Sequence, residues 1–172
     1  MRILAIDVGT GTQDILAFDT SVPLTNSPKM VMPSPTTILR SHIEQATSRR
    51  QSALLTGVTM GGGPSKGALK QHLGSGLPAY ATPDAARTFD DDPAMVQEMG
   101  VTIVSPDEAH RLKNTLSLEL KDIDLSAIGK ALGIFGVDSR FDAIAVAVLD
   151  HGAAPPGTSD RLFRFQNLQR LM

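Results

Sequence analysis

The chain has no cysteine among its 172 residues. That excludes disulfides and thiolate metal sites, and it fits a cytoplasmic protein. Tryptophan is also absent, with one tyrosine and six phenylalanines, so stacking of nucleic-acid bases on an aromatic platform has little to work with. The formal net charge of −2 and the lack of any basic stripe beyond the Arg49-Arg50 pair argue against a nucleic-acid partner held by bulk electrostatics. No apolar run approaches the roughly 20 residues of a membrane span, and Ile3 to Ile6 is too short for a signal-peptide core. What remains, 41% hydrophobic and 20% charged, is the composition of one globular domain with a core of ordinary size.

The most informative stretch is Met1 to Thr20. Ile3-Leu4-Ala5-Ile6 reads as a strand ended by Asp7, Gly9-Thr10-Gly11-Thr12-Gln13 as a tight polar turn, and Ile15-Leu16-Ala17-Phe18 as the returning strand. Glycines at 9 and 11 are able to take positive φ and let backbone N–H groups face a ligand, with Thr10, Thr12 and Gln13 adding side-chain donors. Such a tip suits an anion. Asp7 would repel a bare phosphate, which points to magnesium held between carboxylate and phosphate. The plain alternative is a hairpin whose aspartate only caps its turn.

Further along, Lys29 to Met32 reads as a third strand closed by Pro33 and Pro35, and Thr36 or Thr37 as the cap of a helix through Arg49. His42 sits on or beside that helix's apolar stripe, as a packed or boundary histidine. Ala53 to Thr56 reads as a strand covered on both faces. It runs into Gly57-Val58-Thr59-Met60-Gly61-Gly62-Gly63-Pro64 and a helix over 66–73, whose start either offers free N–H groups to an anion or follows a plain linker turn; the spacing is not that of a Walker loop. Asp90-Asp91-Asp92 offers a cation site, but three adjacent aspartates more often form a solvated loop or the cap of a helix, here before Pro93. Ser105 to Glu108 opens a polar stretch without an assigned structure, Leu116, Leu118 and Leu120 alternate as a half-exposed strand, and Asp124 caps a helix to about Phe135. Ala143 to Leu149 is wholly apolar, as expected of a central parallel strand, and ends in Asp150-His151-Gly152. Chemistry gathers at the carboxyl ends of such strands, so Asp150 is a candidate metal partner or base and His151 a candidate assistant.

Three stretches carry a resemblance. Ile3-Leu4-Ala5-Ile6-Asp7-Val8-Gly9-Thr10-Gly11-Thr12 resembles the first phosphate motif of the actin, heat-shock chaperone and sugar-kinase superfamily. Taken with Asp14 and Asp19, with Leu55-Thr56-Gly57 ahead of Thr59-Met60-Gly61-Gly62-Gly63-Pro64, and with Val148-Leu149-Asp150-His151-Gly152, it is similar to an uncharacterised prokaryotic family within that superfamily, labelled pyruvate formate-lyase activating enzyme. The resemblance implies one ribonuclease-H-like, actin-type half over residues 1–152, with a mixed sheet, an antiparallel amino-terminal hairpin and helices on both faces. Residues 153–172 would begin a linker or a second half.

It further implies magnesium and ATP as cofactors, with Asp7 and Asp150 as metal partners. Gly9, Thr10, Gly11, Thr12 and Gln13 would cradle phosphate, and Thr56, Gly57, Gly61, Gly62 and Gly63 would line the facing wall. The activity would be that of a phosphotransferase or ATPase. The missing half would come from a longer chain, another copy or a protein partner meeting the apolar carboxyl-terminal segment. The rival expectation is a non-catalytic scaffold. Radical activation requires an iron–sulfur cluster held by cysteines, which this chain does not supply by itself.

Overall fold

A computed structural model of the chain describes residues 1–148, 154–155 and 158–171. The amino-terminal strands are β1 (Arg2–Val8), β2 (Thr12–Asp19) and β3 (Lys29–Pro33), followed by helix α1 (Pro35–Ser48). Next come β4 (Ser52–Gly57), α2 (Gly63–Gly74), β5 (Ala79–Ala81), α3 (Pro83–Arg87), α4 (Pro93–Glu98) and β6 (Thr102–Ile103). The chain continues through α5 (Pro106–Arg111), β7 (Thr115–Leu120), α6 (Leu125–Ile134), β8 (Ala143–Val148) and α7 (Asp160–Leu171).

These strands make two sheets, ordered β3-β2-β1-β8 and β6-β5-β4-β7. The first is mixed: β2 is antiparallel to both β1 and β3, whereas β8 runs parallel to β1. The second is parallel throughout. Alternation along β1 explains the first sheet's orientation, because successive side chains point to opposite faces. Leu4, Ile6 and Val8 are buried, in one cluster with Ile15 and Ala17 of β2 and Ile128 and Leu132 of α6.

The other face carries Ala5, Asp7, Asp14, Leu16, Val31 and Ala145, and a groove there is lined by strand residues alone. Among the described residues, helices on both faces are therefore found for the second sheet only. Ala53 and Leu55 of β4 pack with Leu39 and Ile43 of α1 and Leu69 of α2, and Leu54 packs with Ala109 of α5 on the opposite side.

The structure differs from the sequence expectation at β8 and at the cap of α1, and it gives the stretch from Ser105 a definite form. β8 is parallel, but it forms an edge with all six residues exposed, since among the described residues it has a neighbour on one side only. The cap of α1 is Ser34, ahead of Thr36 and Thr37. Its hydroxyl accepts the Thr37 N–H at 3.2 Å and Pro35 takes a first-turn position, where a missing N–H costs nothing. The polar stretch from Ser105 opens α5 through a reciprocal capping box with Glu108, which satisfies otherwise unpaired N–H groups. The expected roles of Asp92, as the cap before Pro93, and of Asp124, as the cap of α6, are both met. Among the described residues no helix is long and apolar enough to cross a membrane.

Candidate functional site

The hairpin tip is held from beneath by the start of α1. The Thr10 carbonyl accepts hydrogen bonds from Ser34 Oγ at 2.6 Å and Thr36 Oγ1 at 2.8 Å. The Gly11 carbonyl accepts the Ser34 N–H at 3.1 Å and Thr37 Oγ1 at 3.1 Å. Both peptide oxygens are thus turned into the protein, and among the described residues the N–H groups of Thr10 and Gly11 have no partner. Thr10, Gly11 and Thr12 are exposed.

The glycines act differently from expectation. Neither Gly9 nor Gly11 has positive φ. A Cβ on Gly9 would lie 3.1 Å from the Thr12 carbonyl, which accepts the Gly9 N–H at 2.9 Å, while one on Gly11 would meet nothing within 4 Å. Gly9 therefore serves close approach rather than an unusual backbone angle.

Asp7 lies inside β1, not at its end, and stands directly opposite Asp14 in the antiparallel register. Both are exposed and both border the groove on the uncovered face. Opposed side chains in such a pair have Cβ atoms roughly 5 Å apart, and like charges there repel. Two carboxylates so placed are the hard oxygen donors that magnesium takes, largely through water. Asp14 thus joins Asp7 as a metal-holding candidate. Gln13, one residue earlier, faces the opposite way: it is buried and its Nε2 donates to the Pro33 carbonyl at 2.9 Å. Its side chain does not join the tip's donors.

The glycine loop meets the hairpin at Gly63. There φ is +42°, and a Cβ would lie 3.1 Å from Thr10 Cγ2 and 3.3 Å from Thr36 Oγ1. Gly62 is buried and Gly61 half-buried beside it. Gly57, with φ +74°, leaves a Cβ only 2.3 Å from the Leu120 carbonyl, so β4 ends hard against β7. Thr56 points to the α5 side, where it borders a different cavity with Thr82 and His110, and is not brought to the hairpin. The start of α2 is also less open than expected, because the N–H groups of Ser65 and Lys66 both turn back to the Gly62 carbonyl. Lys66 Nζ donates to the Phe89 carbonyl at 2.7 Å and lies 3.4 Å from Asp90 Oδ2, so it ties down the neighbouring loop.

Asp122 is the residue that sequence reasoning missed. Its Oδ1 accepts the Thr59 hydroxyl at 2.7 Å and the Met60 N–H at 2.6 Å. Met60 in turn packs against the first sheet's core, so one carboxylate fixes the loop that joins both sheets. The only available signal was an aspartate just past a strand end, next to the α6 cap Asp124. His42 is exposed on α1. Asp150 and His151 lie outside the described residues. Among those described, no group of three or more histidines or acidic residues is placed to hold a metal ion.

Fold and site together define an α/β protein in which a glycine-bearing hairpin and a glycine loop meet over the start of one helix. The chain belongs to the family described as "Putative pyruvate format-lyase activating enzyme (DUF1786)", whose model matches residues 60–172. The matched part begins within the glycine loop, and the hairpin precedes it. No curated protein matches the chain.

Proposed function

We propose that this chain is a phosphate-binding half of a nucleotide-binding protein of the actin, heat-shock chaperone and sugar-kinase kind, with magnesium ATP as its ligand. The observation that carries the reading is the hairpin tip: the Thr10 and Gly11 carbonyls are held by α1, the Gly11 N–H points away from the Thr10 carbonyl across their trans peptide, and among the described residues the N–H groups of Thr10 and Gly11 have no partner. Successive unpaired N–H groups make an anion cradle. Asp7 and Asp14 stand beside it as oxygen donors for magnesium, whose role when bound is to neutralise phosphate charge. The mixed first sheet, with its antiparallel hairpin and a parallel strand beside β1, supports the ribonuclease-H-like, actin-type reading.

Phosphoryl transfer or ATP hydrolysis would need closure by a second half, another copy or a partner, because such catalysis is mainly positioning. The apolar residues Leu162, Phe165 and Leu168 of α7 are exposed and offer a surface for that contact. The family description adds a role in activating pyruvate formate-lyase. In this chain that role would be accessory, with the cluster's cysteines on a partner.

A second reading has its own observation. The same tip carbonyls lock the hairpin to α1, so the motif also serves packing, as in a non-catalytic scaffold. Calorimetric titration with magnesium ATP separates the two. Saturable binding, weakened at least about ten-fold by Asp7→Asn, which is about 1.4 kcal/mol, is expected of the phosphate site. No saturable heat at millimolar nucleotide would leave the scaffold.

A further inference from the structure

On the covered side of the first sheet, a cavity of about 400 Å³ opens between the hairpin, α1, β7 and α6. Ligand pockets begin at roughly 300 Å³ and are mainly apolar with a few polar groups that fix orientation. Here Leu39, Leu118, Leu120 and Ile128 supply apolar wall, and Gln13 faces in from β2. Gln13 is 8% exposed, and while its Nε2 is satisfied by Pro33, its Oε1 is buried with no hydrogen-bond partner. A buried acceptor left unpaired is costly.

The mouth carries Glu119, Lys121 and Asp124. Lys121 Nζ is 2.9 Å from Asp124 and 3.3 Å from Glu119, so its charge is already matched and the rim leans negative. Because β2 side chains alternate, this cavity and the Asp7–Asp14 pair lie on opposite faces of one sheet.

We infer that this cavity is a second binding site, taking a compact apolar molecule, neutral or cationic, that donates an N–H or O–H hydrogen bond to Gln13 Oε1. An anion is disfavoured by the rim, and the site is independent of the phosphate cradle.

Indole, with one N–H donor, and 1-methylindole, without it, are suitable probes, followed by amide chemical shifts of the full chain. Indole should give saturable shifts at Gln13 and Leu118, and 1-methylindole should bind at least about ten-fold more weakly, the equivalent of about 1.4 kcal/mol. Ala127→Phe, at an exposed residue of the cavity mouth, should abolish the indole shifts while the chain stays folded by circular dichroism. Asp7→Asn should leave them unchanged. Absence of saturable shifts with indole, which would mean that only water meets Gln13, overturns the inference. So does equal affinity for the two probes, or binding that survives Ala127→Phe.

Discussion

Gly57 and Asp122 fix the chain at the end of β4 by different means. Gly57 combines a left-handed backbone with a carbonyl pressed where a side chain would begin. In Gly57→Ala, the backbone angle alone costs about 1–2 kcal/mol, and the 2.3 Å approach to Leu120 forces a shift on top of it. Urea unfolding of the variant should show a loss of at least that size; a loss below about 0.5 kcal/mol, the range of ordinary surface changes, would show that the strand end relaxes freely. Asp122 works through hydrogen bonds, holding Thr59 and Met60 with a single oxygen. The glycine run was legible in the sequence because such residues announce unusual backbone. Asp122 was not, because a side chain that serves a loop sixty residues earlier leaves no local pattern. Gln13 misled for a related reason: sitting in a polar turn says nothing of which face a strand residue takes, and one residue of register decides it.

At the scale of elements, α1 and the hairpin form one unit. Ser34 caps the helix and donates to Thr10, so it serves both at once. Removing a capping hydroxyl costs about 1 kcal/mol, and Ser34→Ala also frees one of the two side-chain donors on the Thr10 carbonyl. The expected result is a stability loss above about 1 kcal/mol together with faster hydrogen exchange at the tip. A loss confined to α1, with the tip's exchange unchanged, would show that Thr36 alone suffices. Caps and helices with sequence signatures were legible, as at Asp92 and Asp124. The α5 helix was missed although Ser105 and Glu108 spell a capping box, because six residues give no periodicity to support it. β8 shows the opposite limit. Apolar composition correctly indicated a parallel strand, yet edge or centre depends on which neighbours arrive, and that is settled by contacts far away in sequence.

At the scale of the molecule, the first sheet is tied together by groups far apart in the chain. The Arg2 N–H donates to Asp142 Oδ2 at 2.7 Å, the Asp142 N–H donates to the Arg2 carbonyl at 2.8 Å, and the Arg2 guanidinium donates to the carbonyl oxygens of Asp138 and Arg140. The Asp138 carboxylate is held down to about 2, chiefly by hydrogen bonds from the Arg140 side chain and backbone, with the Arg2 charge adding to it. A carboxyl depressed on folding contributes stability that is fully present above its unfolded value of about 3.9 and is lost as pH falls toward 2. The contribution is small at so exposed a site. Carboxyl chemical shifts should therefore titrate Asp138 near 2 and, in Asp138→Asn, acid unfolding between pH 4 and 2 should become less steep. A midpoint near 4 would mean that the Arg140 bonds do not persist in solution.

β1 borrows its second neighbour from a strand that begins at Ala143, whereas the parallel sheet is drawn wholly from the intervening chain. During synthesis, at about 5–20 residues per second, the intervening sheet is complete before β8 leaves the ribosome. For several seconds β1 presents an unpaired edge, with the hairpin and α1 already in place. Pairing across so long a separation is intrinsically slow, so the joining of β8 to β1 becomes the late step of folding. When β8 docks, the unpaired edge passes from β1 to β8, so the edge open to another chain changes identity during folding.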